Sequence, residues 1–301
     1  MTGLPRTSAV VVEPPQAGPG AWAGAPSAVH VDGTTYLAYR LRRPVGQGRG
    51  FCNVVAQVTG AGLTTLAVVG RDRFGADSLE RPALVVTPQG RWRLYVSCAT
   101  PGSKHWRVDL LEADTPQGLA AAPAVTVLPG SAEVGVKDPV VLLDDGRWHL
   151  WASVHPLEVP DDADRMTTDY ATSPDGVDWT WHGTVLAGRG GQWDARGTRL
   201  TSVVVEGAQL VATYDGRSSA AQNWEETTGV AVGSRGPDGR FGALTALPGP
   251  PLASPHGGLR YLTRVGLPSG RSQVFYELTR ADGAHELRGG LLPAPVAEVA
   301  S

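Results

Sequence analysis

The stretch GVKDPVVLLDDGRWHLWASVH, Gly135–His155, decides how this chain is read. Lys137 and Asp138 stand before an apolar run, Asp144-Asp145-Gly146 interrupts it, and a second run rich in Trp, Leu and Val ends at His155. A glycine supplies the positive φ of a tight turn, and β-branched and aromatic residues fill strands, so the stretch predicts a β-hairpin. Four more segments share the pattern. VHVDGTTYLAYRLRR turns at Gly33, LVVTPQGRWRLYVSC at Gly90, SVVVEGAQLVATYDGR at Gly207 and RVGLPSGRSQVFYELTR at Gly270. These glycines stand about 60 residues apart, a period that signals a repeat architecture.

Each hairpin is followed by further strand-like sequence, such as FCNVVAQVTG and TTLAVVG after the first. Four strands per repeat and five repeats predict an all-β, five-bladed β-propeller. The expected blades are residues 20–75, 76–131, 132–190, 191–253 and 254–295, in one domain over residues 1–301. The fifth repeat is one strand short, and TSAVVVEP near the N-terminus has no partner of its own. A strand over residues 7–14 is therefore expected to complete the last blade and close the ring, leaving only short, protected edges. A pair of β-sandwiches is the competing fold, and the regular spacing disfavours it.

Composition agrees. The chain has 301 residues, 42% of them hydrophobic and 18% charged, which suits a packed core. Its 39 glycines and 24 prolines, without a short period, call for many turns. A net charge of −3 with no basic run argues against a nucleic-acid partner, and no apolar segment is long enough to span a membrane. The N-terminal apolar patch is too short for a signal-peptide core, so a cytoplasmic location is expected. Cys52 and Cys98 match no zinc spacing and read as buried, reduced thiols.

Within a blade the innermost strand and its hairpin partner run antiparallel, so inner-strand starts and second-strand ends share one edge. Around a propeller those edges meet at one mouth of the central channel. Inner-strand starts contribute Gly24 and Ala25, then Glu80 and Arg81, Lys137 and Asp138, then Trp193, Asp194, Arg196 and Arg199, and finally His256 and Arg260. Second-strand ends contribute Arg40 and Arg42, Ser97 and Cys98, His155, then Tyr214, Asp215 and Arg217, and finally Glu277 and Arg280. Strand-end charges are usually just solvated, and Asp before Pro is a common turn starter. Here, however, the charges recur at one phase around a concave mouth, a default place for a ligand.

The motifs resemble the five-bladed propeller glycosidases of glycoside hydrolase family 43 and relatives such as families 32, 62, 117 and 130. The resemblance rests on GVKDPVVLLDDGRWHLWAS in the third blade, ERPALVVTPQGRWRLYVS in the second, GQWDARGTRLTSVVVEGAQLVATYDG in the fourth, and the outer turn ATSPDGVDWTWHGTVL. It implies carboxylates from separate blades flanking one glycosidic bond, their environments setting different protonation states. Asp138 matches the third-blade Asp that in that group modulates the acid or stabilises the transition state, and Asp194 lies near the fourth-blade position of the acid. The first-blade Asp that serves as base or nucleophile should stand just before Pro26, where this chain has Gly24 and Ala25. Glu80 or Glu277 must then replace it, or the chemistry differs.

The reading that results is a glycoside hydrolase-like enzyme on a small soluble carbohydrate. Asp138, Asp194, Glu80 and Glu277 are the catalytic candidates. Trp22, Arg81, Lys137, His155, Trp193, Arg196, Asp215, His256 and Arg260 are the substrate-binding candidates. No cofactor is expected. The alternatives are a lyase, isomerase or biosynthetic enzyme using His155 or His256 as base or as ligand to a divalent ion, and a non-catalytic sugar-binding propeller.

Overall fold

The computed structural model describes residues 4–293. Strands β1 (Ser8–Val12), β2 (Trp22–Val31), β3 (Thr34–Arg42), β4 (Gly50–Thr59) and β5 (Gly62–Gly70) come first. β6 (Leu79–Val86), β7 (Trp92–Ala99), β8 (Trp106–Ala113) and β9 (Ala124–Leu128) form one four-stranded sheet. β10 (Val134–Asp144), β11 (Arg147–Pro156), β12 (Thr167–Ser173) and β13 (Thr180–Leu186) form the next. β14 (Gly197–Glu206), β15 (Gln209–Arg217), β16 (Thr227–Ser234) and the two-residue β17 (Thr245–Ala246) form another. β18 (Leu259–Gly266), β19 (Ser272–Thr279) and β20 (His285–Leu292) complete the set. The fold is an all-β, five-bladed propeller. β2–β5 make the first blade, and β1 pairs antiparallel with β20 as the fourth strand of the last, Ser8 opposite Gly290. Residues 294–295, the end of the last expected blade, lie outside the described residues.

The opening stretch is the β10–β11 hairpin, with Asp144 opposite Arg147. Asp145 and Gly146 both take positive φ, 50° and 73°, as a two-residue type I′ turn requires. Asp32 and Gly33 do the same in the first blade. The blades pack face to face, and a separate apolar cluster fills each of four gaps. Leu84, Leu94 and Val55 lie between the first two blades, Tyr95 and Leu150 between the second and third, Trp151 and Tyr214 between the third and fourth, and Leu37 and Phe275 between the last and first. Strands buried on both faces need apolar residues in both phases, and this is why the runs are nearly continuous. Cys52 and Cys98 are free and buried in these layers.

The inner strands share one irregularity. Pairing slips between Gly24 and Ser27, Leu79 and Pro82, Lys137 and Val140, Leu200 and Ser202, and Arg260 and Thr263. Ala25, Asp138 and Tyr261 sit in the slip at φ of 52°, 54° and 54°. A bulge re-aims the side chains beside it. Here it turns one or two residues per blade toward the axis.

Candidate functional site

A cavity of 460 Å³ opens at the mouth formed by inner-strand starts and second-strand ends. The first blade gives its wall Trp22, Arg40, Arg42 and Arg49. The second gives Glu80, Lys104 and Trp106, and the third Lys137, His155, Asp161 and Asp164. The fourth gives Arg199, Arg217, Trp224 and Glu226, and the fifth Arg260 and Tyr261.

The charges interlock across blades. Glu80 accepts from both Arg40 and Arg42. Glu226 is 2.6 Å from Arg217 and 2.8 Å from Arg260. Behind the wall, Glu277 is wholly buried and accepts from Arg40 at 2.8 Å, Arg260 at 2.8 Å and the backbone N–H of Ala25 at 3.0 Å, with the His285 ring at 2.7 Å. Asp138 is also wholly buried. It accepts from the Arg81 backbone N–H at 3.2 Å, the Tyr261 hydroxyl at 3.3 Å and Arg199 at 3.4 Å. Asp215 takes Arg199 at 2.8 Å, the Thr228 hydroxyl at 2.9 Å and the Tyr261 N–H.

Protonation follows from this wiring. Burial pushes Glu80 upward, but Arg40, then Lys137 and Arg42, outweigh it and hold the carboxyl at about 2. The same contest pulls Glu226 down through Arg199, Arg260 and Arg217, and Glu277 down through Arg260 and Arg40. For Asp215 burial wins over Arg199 and the carboxyl is raised. Burial lowers Arg42 to about 10 against the pull of Glu80, and lowers Lys137 against Asp138 and Glu80. His155 falls to about 3, first from burial and then from Lys137. Its Nδ1 donates to the Ala163 carbonyl at 2.8 Å, which leaves a neutral ring with a bare Nε2.

Of the residues expected at the mouth, Glu80, Lys137, His155, Trp22 and Arg260 line the cavity. Asp138, Asp215 and Glu277 form the layer beneath, each wholly buried. Trp22 is no open stacking platform: Arg42 and Arg260 lie 4.1 and 4.5 Å from its ring, and His285 stacks on it at 4.9 Å. Arg81 turns away from this cavity and lines a second one, of 410 Å³. It donates to Pro26 O at 3.3 Å, Thr201 O at 2.8 Å, Pro139 O and the Thr263 hydroxyl, so one guanidinium ties the other four blades together.

Four expected residues stand elsewhere. Asp194 is buried between Arg189 and the Tyr214 hydroxyl, both at 2.8 Å, and does not reach the cavity as an acid must. Trp193 stacks on Tyr214 at 5.4 Å and packs over Gly229. Arg196 pairs with Asp164 at 2.7 Å from behind the wall. His256 is exposed and its backbone bonds Ser254. Among the described residues, no group of three or more His, Cys, Asp or Glu is arranged to hold a metal ion. Among the described residues, no helix is long and apolar enough to cross a membrane.

Glu226, Trp224 and Tyr261 were not anticipated. Glu226 and Trp224 arrive from the connection between β15 and β16, outside the strand ends. Tyr261 sits in a bulge, where its φ of 54° breaks the alternation that sequence reading relies on. The one available signal was the repeated slip itself, since Tyr261 is the last blade's counterpart of Asp138. Ala25 is the first blade's counterpart.

No family model matches the chain, and no curated protein matches it. Solved structures do. A family 43, subfamily 1 glycoside hydrolase from Xanthomonas citri, solved with xylotriose, superposes with a TM-score of 0.66 at 19% identity, over 97% of this chain and 91% of that one. A structure from work on the family 130 mannoside phosphorylases and glycoside hydrolases that target β-1,2 mannosidic linkages in Candida mannan gives 0.65 at 16%, over 98% and 91%. A glycosyl hydrolase from Bacteroides ovatus gives 0.63 at 13%, over 97% and 90%. The chain thus shares its propeller fold with glycoside hydrolase-like proteins.

Proposed function

We propose that the protein is a glycosidase-like enzyme that holds a small saccharide in the mouth cavity. The observation that carries this reading is Glu80: of the four carboxylates expected to be catalytic, it alone lies on the cavity wall. A cavity of 460 Å³ accommodates a mono- or disaccharide. Trp224 at the rim is 43% exposed and, although Arg42 lies 5.3 Å from its ring, offers more open aromatic surface than the covered Trp22. Glu80, held at about 2, is anionic at neutral pH; so low a pKa makes it a poor base toward water, and the role it suits is attack on the sugar. It does not suit proton donation.

The proton donor we assign is Lys137. Its ammonium lies on the same wall, close enough to Glu80 to act on its charge, and burial lowers its pKa toward the range where donation is useful. A second reading, saccharide binding without turnover, is favoured by Ala25 at the first-blade position and by the saturation of Asp138 and Glu277 with donors.

A panel of aryl glycosides separates these. A 2,4-dinitrophenolate leaves without a proton and a phenolate does not. Lys137→Met should lower kcat on phenyl glycosides by about a hundredfold or more and leave dinitrophenyl glycosides within a few-fold. Glu80→Gln should abolish both. Equal losses on the two leaving groups would remove Lys137 from the role. Binding of saccharides with no turnover of any substrate would establish the second reading.

A further inference from the structure

The wall of the cavity carries eight cationic side chains and four carboxylates, Glu80, Asp161, Asp164 and Glu226. The buried layer beneath adds three anions, Asp138, Asp215 and Glu277, and one cation, Arg81. Cations still exceed anions by two, and His155 is neutral at physiological pH. The excess is not spread evenly. Arg40, Arg199 and Arg260 each contact two or more carboxylates. Arg42 has only Glu80, which it shares with Arg40, and its Nε is buried without a partner. Arg49 makes no ion pair among the described residues, and its Nε is likewise buried and unpartnered. The carboxylate oxygen nearest Lys137 is 3.7 Å away, on Asp138.

All three side chains line the cavity, and Arg42 is bonded to the Glu80 carboxylate on which Lys137 also acts. Arg49 is close enough to Arg42 to disfavour its charge, and Lys137 close enough to Glu80 to favour its ionisation. Aromatic faces hold two of them in place: Trp22 and Trp224 lie 4.1 and 5.3 Å from the Arg42 guanidinium, and Trp106 lies 4.7 Å from the Lys137 ammonium. Clustered like charges out of bulk water repel one another, and removal of water strengthens that repulsion. A neutral sugar entering the cavity would expel water from around them and offer hydroxyl acceptors but no charge to offset the repulsion. An oxyanion would meet a fork of N–H donors and relieve the repulsion.

We propose that the saccharide taken by this cavity carries its own oxyanion, a carboxylate as in a uronic acid or a phosphate ester, docked against Arg42 and Arg49, with Lys137 left on the flank for the leaving group. The proposal rests on the carbohydrate reading above and adds the substrate's charge to it. Glu80 sits among the same cations, so the anionic group is positioned next to the carboxylate assigned to the reaction.

The test is equilibrium binding, independent of turnover. Isothermal titration of the full chain would compare D-glucuronate, D-galacturonate and D-glucose 6-phosphate with D-glucose, D-galactose and inorganic phosphate, at low salt and at high salt. The expected result is that at least one charged sugar binds about tenfold or more tighter than its neutral parent, with an advantage that shrinks at high salt. The uronates and the phosphate ester tell the two oxyanion sources apart. Arg49→Gln should reduce that advantage about tenfold and leave the neutral sugars unchanged. Arg49 has no ion pair to lose, and a thermal melt confirms the fold. Equal binding of charged and neutral sugars overturns the inference and leaves the carbohydrate reading standing. Inorganic phosphate binding as tightly as the charged sugars also overturns it, because the anion then needs no sugar. Binding of none of them overturns both readings.

Discussion

Arg81→Met should be the most damaging single substitution at the channel axis. Arg81 is 2% exposed, and its guanidinium donates to three backbone carbonyls and one hydroxyl, each from a different blade. Pro26, Pro139 and Thr201 would each lose a charged donor. A buried acceptor left unsatisfied costs about 1–3 kcal/mol. Two effects reduce the sum. Burial holds the Arg81 pKa down at about 10, so part of its interaction energy already offsets desolvation. Cavities of 460 and 410 Å³ lie on either side, and water from them can reach some of the freed carbonyls. A net loss of about 4 kcal/mol is the expectation, in line with breaking one side of a buried charged network. For a chain of this size that lowers the thermal midpoint by roughly 6 °C. Differential scanning calorimetry at pH 7 measures it. A drop under 2 °C, or a rise, would refute the idea that Arg81 is the strut that joins the blades.

Two further outcomes follow from the same wiring. A Cβ added at Gly24 would stand 2.0 Å from Glu277 Oε2, and Glu277 is pinned by its donors, so Gly24→Ala should cost about 1–3 kcal/mol, read as a lower unfolding midpoint in guanidinium chloride; an unchanged midpoint counts against a fixed Glu277. The folded pKa of Glu80, about 2, lies below its ordinary 4.5, so its contribution is present above pH 4.5 and is lost as pH falls toward 2. That contribution is about 3 kcal/mol, and Glu80→Gln should lose correspondingly less stability than wild type between pH 5 and pH 2, with equal losses sinking the assignment.

The fold was legible because each inner hairpin is marked locally. An Asp-Gly or similar turn between apolar runs needs no long-range knowledge, and five of them at one spacing leave few architectures. The mouth was legible wherever a residue lies within the strand or at its edge, as Glu80, Lys137 and Arg260 do. It failed where the strand starts later than the sequence suggests. β14 begins at Gly197 and β18 at Leu259, so Trp193, Asp194 and His256 belong to the preceding connections. Charge pairing was not legible at all. Arg40 meets Glu277 across 237 residues of chain, and nothing local in either segment marks the other.

The three left-handed positions bring these points together. Ala25, Asp138 and Tyr261 occupy the same slip in three blades, yet only Asp138 is a carboxylate. Pro26 follows the first of them. The space over Gly24 is taken by Glu277, whose Oε2 accepts the Ala25 N–H and approaches so closely that no side chain fits at Gly24. Gly24, Ala25 and Glu277 thus act as one unit: Gly24 makes room, and Glu277 brings a carboxylate in from the last blade and is neutralised by Arg40 and Arg260. A carboxylate placed at residue 25 would therefore lie beside Glu277 and compete for the same arginines. The first-blade position is closed to a carboxylate by the surrounding packing, and this is why the chemistry proposed above is centred on Glu80.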